Sequence, residues 1–97
     1  MARLDETIHQ LVRLRIMAAL VTLEPADAAD FTYLRNLLGV TNGNLGAHLR
    51  KLEEAGYVTV SKLFVKRKPR TFVSASTKGR RAFQEHVAAL ESILTST

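Results

Sequence analysis

The sequence has no cysteine, which excludes disulfides and cysteine-ligated zinc or iron–sulfur sites. It has no long apolar run either. The most apolar stretch, Ile16 to Leu23, is far shorter than the roughly 20 residues that span a bilayer, so no membrane partner is expected. The opening residues, MARLDETIHQ, carry acids and no apolar signal core, so secretion is not expected and the cytoplasm is the default compartment. Acids are missing altogether between Tyr57 and Gln84, where Lys62, Lys66, Arg67, Lys68, Arg70, Lys78, Arg80 and Arg81 lie. There is no carboxylate pair, no nucleophile beside a base and no phosphate-cradling glycine loop. GNLGAH contains two glycines but follows no strand and lacks the P-loop lysine. Catalysis is therefore not expected, nor is any cofactor or metal. His9, His48 and His86 are too scattered to suggest a ligand set, and packing is the simpler role for them.

What is present fits one small domain. The chain has 97 residues, with no repeat, low-complexity tract or linker, so residues 1–97 are read as a single unit. A composition of 46% hydrophobic and 24% charged residues is that of an ordinary globular protein. A chain this short builds only a modest core, which oligomerisation would supplement. The formal charge of +5 points to a polyanionic partner.

The stretch TNGNLGAHLRKLEEAGYVTV organises the rest. Thr41 can cap a helix, Leu45, Leu49 and Leu52 fall on one helical face, and Gly56 stands where a left-handed C-terminal turn suits glycine. Tyr57, Val58 and Val60 then begin a strand. With the leucines turned inward, Gly43, Ala47 and Arg50 face outward, flanked by Asn44, Lys51 and Gly46, with His48 at the boundary. That face is small, polar and basic, as a helix entering a DNA major groove requires. Asparagine can pair adenine and arginine can pair guanine, each through two hydrogen bonds. A merely solvated helix face is the alternative. His48 either donates to a phosphate or is half-buried and fixes the helix orientation.

Before this stretch, Asp5 can cap a first helix running to about Leu23, apolar over most of its circumference and so buried on more than one side. EPADAAD is a turn, and Asp30 and Phe31 can form a very short strand. FTYLRNLLG is a second helix with Thr32 as cap, Gly39 as stop, and Tyr33, Leu34, Leu37 and Leu38 facing inward. The connection LGVT is short and contains a glycine, as a helix-turn-helix requires. After it, Tyr57 to Val65 and Arg70 to Ala75 read as a hairpin with an imperfect alternation, suggesting a bulge or twist. The cationic loop KRKPR lies between them, and Pro69 belongs in the loop or on an edge. Ser76 or Thr77 can cap a last helix whose stripe is Phe83, Val87, Leu90 and Leu94, with Ala82, His86, Ala89 and Ile93 beside it.

This order resembles the winged-helix DNA-binding fold. FTYLRNLLGVTNGNLGAHLRKLEEAGYVTVSK is similar to the small winged-helix transcriptional regulators related to the MarR and ArsR families. The pattern L-G-V-T-x-G-N-L-x-x-H-L-x-K-L-E-x-A-G-Y-V is filled by Leu38 through Val58, and KPRTFVSASTKGRRAF resembles their wing exit and last helix. The fold class implied is mainly α with a small β-hairpin wing (α+β), a winged helix-turn-helix of order α-(short β)-α-α-β-β-α. The resemblance implies a recognition helix over Asn42 to Lys51. Its DNA-facing residues would be Thr41, Asn42, Gly43, Asn44, Ala47, His48, Arg50 and Lys51, and the wing contacts Lys66, Arg67, Lys68 and Arg70. It also implies a homodimer built by the first and last helices, about 5–23 and 78–94. Leu4, Ile8, Leu11, Phe83, Val87, Leu90 and Leu94 would form that interface. The partners expected are thus double-stranded DNA and a second copy of the chain. A non-specific architectural DNA binder and a winged-helix module for protein binding remain alternatives. No residue names a small-molecule effector.

Overall fold

The computed structural model describes residues 3–96. Asp5 caps α1 (Glu6–His9), its Oδ1 accepting the N–H groups of Thr7 and Ile8. The single first helix expected from the sequence is broken. Gln10 turns extended at φ −67° and ψ 133°, and its Oε1 accepts from Arg13 N to cap α2 (Leu11–Leu20). Because each break is sealed by a side-chain acceptor, few orphan donors remain, and apolar periodicity carries no trace of it. Beyond Leu20 the chain leaves the helix. Arg80 holds this turn, donating from Nη1 to the Val21 carbonyl at 3.3 Å and from Nη2 to that of Leu23 at 2.8 Å.

The short strand β1 (Ala29–Asp30) leads directly into α3 (Phe31–Leu38). The cap of α3 is Asp30, not Thr32: its Oδ1 accepts from Thr32 N and Tyr33 N. The inner face is narrower than expected. Leu34 and Leu38 are buried, whereas Tyr33 and Leu37 are 61% and 51% exposed, because an eight-residue helix on a small core covers one stripe only. Gly39 ends α3 in the left-handed region, at φ 67°. Thr41 caps α4 (Asn42–Glu54), its Oγ1 accepting Asn44 N–H, and Leu45, Leu49 and Leu52 are buried. Each such leucine removed from water contributes about 2 kcal/mol.

Strands β2 (Val58–Val65) and β3 (Lys68–Ala75) pair antiparallel, and β1 pairs on the far side of β3, giving the order β1-β3-β2. The register runs unbroken from Val58↔Ala75 to Val65↔Lys68, so there is no bulge. The alternation fails for another reason. The distal half of the hairpin extends past the core, leaving Leu63 and Phe64 54% and 79% exposed. The loop is also shorter than KRKPR. Only Lys66 and Arg67 turn the chain, both left-handed at φ 52° and 66°, the geometry of a tight two-residue hairpin. Pro69 therefore lies within β3, opposite Phe64. The pair closing such a turn exchanges hydrogen bonds and the next does not, so the missing proline N–H is not needed there.

Ser76 caps α5 (Thr77–Thr95), which buries Gly79, His86 and Ala89. A side chain at position 79 would place its Cβ 2.0 Å from the Tyr57 carbonyl oxygen, so only glycine lets α5 lie against the turn after α4. Ile8, Ile16, Met17, Leu20, Leu34, Leu45, Leu52 and Val73 form the centre of the core. At one corner Asp5 joins three elements. Its Oδ2 accepts from the Tyr57 hydroxyl, and its N–H donates to His86 Nδ1 at 2.9 Å.

Candidate nucleic-acid interface

With its leucines inward, α4 shows Asn42, Gly43, Asn44, Ala47, Arg50 and Lys51 to solvent, together with its cap Thr41. The hairpin stands beside it. Gly46, Leu49, Arg50 and Glu53 of α4 and Val60, Lys62 and Thr71 of the hairpin line a groove of about 400 Å³, with Phe31 at one end. The structure thus brings the expected helix face and the cationic hairpin onto adjoining surfaces.

The individual residues differ in how free they are. His48 is half-buried, and its Nδ1 lies 3.2 Å from Arg13 Nη1. Loss of water and the nearby Arg13 charge hold its pKa below the usual histidine value, so it accepts from the arginine as a neutral ring. That arrangement fixes α4 against α2. Asn42 Oδ1 accepts from Arg35 Nη1 at 2.8 Å. Arg35 carries no apolar periodicity or motif, and nothing in the sequence marks it as a partner of Asn42. Around Gly43 the surface is open, with no atom within 4 Å of the place a side-chain methyl would take.

Within the hairpin, Lys66, Arg67 and Lys68 are exposed at the tip. Arg70 is exposed as well, but its Nε pairs with Asp30 Oδ2 at 3.1 Å, which ties the hairpin to the cap of α3. Arg80, inside the same acid-free run, points into the body and donates to the carbonyls of Val21 and Leu23.

Of the residues expected at a dimer interface, Ile8 is fully buried in the chain's own core and cannot meet a partner. The break at Gln10 turns α1 so that this side chain points inward. Leu11 and Leu94 are 65% and 76% exposed. Leu4, Phe83, Val87 and Leu90 are half-buried. On α5, Gly79, His86 and Ala89 are buried and Ala82 and Phe83 pack partly against the core, while a shallow groove runs along Phe83, Gln84, Val87, Ala88 and Glu91. Among the described residues no helix is long and apolar enough to cross a membrane, and no acid, histidine or cysteine cluster could hold a metal ion.

A helix-turn-helix, a three-stranded sheet and a protruding hairpin in this order define a winged-helix protein. Residues 12–94 match the family model described as winged helix DNA-binding domain, and the chain belongs to that family. It is 39% identical over 79 residues to an uncharacterized protein of Methanocaldococcus jannaschii, covering 81% of this chain and 83% of that one. Among solved structures it resembles a transcriptional regulator homologue from Pyrococcus horikoshii, with a TM-score of 0.85 and 30% identity over 95% of this chain and 88% of the other. A MarR-family regulator from Enterococcus faecalis shares the fold, with a TM-score of 0.71 and 23% identity over 93% of this chain and 77% of the other. The chain is thus a winged-helix protein of the transcriptional-regulator type, in agreement with the resemblance of its sequence.

Proposed function

We propose that the protein is a dimeric transcriptional regulator that reads a two-fold symmetric DNA site. The observation that carries this is the adjoining pair of surfaces: the small, polar and basic face of α4, without an acid before Glu53, and the hairpin beside it with its exposed cationic tip, in a chain of a DNA-binding family. Asn44 and Arg50 are the base-reading groups, through the major groove. Gly43 and Ala47 let the helix backbone approach closely. Thr41 and Lys51 meet phosphate at the two ends of the face, and Lys66, Arg67 and Lys68 meet backbone or minor groove. The half-covered Phe83, Val87 and Leu90 and the exposed Leu94, with Leu11 and Leu4, are the surface for the second copy. Such a protein works in the cytoplasm.

Two glycines on the reading helix limit the number of base contacts, which favours a non-specific architectural binder as the second reading. One experiment separates them. Bound sequences are selected from random DNA, and the selected and a scrambled duplex are titrated at several salt concentrations. A two-fold consensus with preferential binding is expected, and Leu90→Glu should give monomers that bind weakly, since one half-site loses its linked neighbour. Equal binding to both duplexes supports the architectural reading. No binding at any salt concentration supports a protein-binding module.

A further inference from the structure

Arg35 lies on α3, outside the face expected to meet DNA, yet its guanidinium is fixed between two asparagines. Nη1 donates to Asn42 Oδ1 at 2.8 Å. Nε and Nη2 donate to Asn36 Oδ1 at 3.3 and 3.1 Å. A guanidinium can only donate, so both amides must turn their carbonyl oxygens to it. No carboxylate pairs with Arg35 among the described residues, the ion pair found being that of Arg70 and Asp30. Its three bonds leave further N–H groups of the five-donor fork unused. The charge is therefore held in place, unneutralised, at the edge of the α4 surface.

We infer that Arg35 contacts a DNA phosphate, and that Asn42 and Asn36 hold it for that contact. This rests on the DNA-binding reading above. An arginine already fixed by two neighbours loses less side-chain freedom on docking than a free lysine, and its planar fork matches two phosphate oxygens. Asn42 in turn is not a base reader. To read adenine, an amide accepts from the N6 amino group through its carbonyl while donating to N7. At Asn42 the oxygen that would accept this amino group already accepts from Arg35, and the orientation of the amide is set by that bond rather than by a base. Direct readout falls to Asn44 and Arg50, while Arg35 adds a sequence-independent contact in each half-site.

The test uses the full chain with the selected and scrambled duplexes across a salt series. Arg35→Met should weaken binding to both duplexes by the same factor, about ten-fold or more for a lost charge-assisted bond. It should also lower the slope of log affinity against log salt by about 0.9 per occupied half-site. Arg35→Lys should keep the slope and recover only part of the affinity, since the ammonium cannot span both asparagines and the phosphate. Asn42→Ala should cause a smaller, uniform loss with the base preference unchanged. Thermal melting should stay near wild type, since these bonds lie at the surface. An unchanged slope in Arg35→Met, or a change of preference at one base pair in Asn42→Ala, overturns the inference. The double variant Lys66→Ala, Lys68→Ala separates this failure from that of the parent reading. If it shifts the slope while Arg35→Met does not, DNA binding stands and the role of Arg35 falls. If wild type binds no duplex, both fall.

Discussion

The arginines of the body and the cations of the hairpin tip carry the same charge in opposite arrangements. Arg13 reaches the Thr7 carbonyl and His48, Arg15 the Leu38 carbonyl, and Arg80 the carbonyls of Val21 and Leu23. Each joins elements distant in sequence and satisfies carbonyls at helix ends or turns, which would otherwise lack partners. Lys66, Arg67 and Lys68 are exposed at the end of a hairpin that has left the core, and among the described residues they take no part in an ion pair. Arg70 stands between the two kinds, half-exposed and paired with Asp30. Formal charge alone therefore does not mark a binding surface. What marks it is a cation that neither a carboxylate nor a backbone carbonyl takes up.

Removing a cation from each set should have opposite consequences, and the largest effect is expected in the body. Arg80→Ala deletes two charge-assisted bonds and leaves two carbonyls without their donor. A loss of about 2 kcal/mol is expected, which for a domain of this size lowers the melting temperature by roughly 8–16 °C. Binding to DNA under conditions where the variant is folded should change little. A melting temperature within two or so degrees of wild type, read by circular dichroism, would show that water replaces the guanidinium without penalty.

Much of this contrast is legible in the sequence, and the part that is not has definite causes. The helix over Asn42–Glu54, its cap Thr41, the buried leucines and the stop at Gly56 are readable because cap, period and terminator agree there. The break at Gln10 is not, because a side-chain amide acting as a cap leaves no mark on hydrophobic spacing. The cap at Asp30 is masked by Thr32, an equally good capping residue two positions later. The acid-free run from Tyr57 to Gln84 is visible, but the separation of Arg80 from Lys66 depends on where α2 ends, which is a tertiary fact. Of the candidate site, the exposed face of α4 is legible from its period. Arg35 is not, since its role depends on the packing of α3 beside α4.

The hairpin turn departs from the sequence expectation for a reason that bears on function. A two-residue hairpin turn with both residues left-handed favours Asn-Gly, and here Lys66 and Arg67 occupy it. Non-glycine residues in that region are strained by roughly 1 kcal/mol or more each. Stability has been given up for charge at the tip. The double variant Lys66→Asn, Arg67→Gly should therefore stabilise the fold by about 1 kcal/mol and at the same time weaken binding to every duplex, with a lower salt slope. A variant more stable and equally tight in binding would mean that the tip does not meet DNA. The comparison between body and hairpin would then reduce to burial alone.

The smallest expected effect is one of pH, and it should be confined to the body. His86 is fully buried, with Nδ1 accepting the Asp5 N–H and Nε2 without a partner among the described residues. His9 stands edge-on to it, with ring centroids 5.3 Å apart. Burial lowers its pKa from 6.5, the neighbouring His9 lowers it further, and the Asp5 carboxylate opposes them. Tyr57 at the same corner has its hydroxyl pKa pushed up to about 12 by its hydrogen bond to Asp5, by burial, and by the charges of Asp5 and Glu85, so it does not titrate near neutrality. In the unfolded chain His86 takes a proton near pH 6.5. In the folded chain it takes one only at lower pH, so between the two values the unfolded state binds more protons. Stability is then fully present above about pH 6.5 and declines as the pH falls, by at most about 1.4 kcal/mol per unit for one proton, levelling below the folded-state pKa. His48, also lowered, adds a decline of the same sign. His86→Gln keeps an acceptor for the Asp5 N–H and removes the titration. Its urea midpoint should fall less between about pH 7.5 and 5.5 than that of wild type, whereas the Lys66→Asn, Arg67→Gly variant should keep the wild-type pH dependence. Parallel curves for His86→Gln and wild type would show that the proton taken up on unfolding belongs to another group.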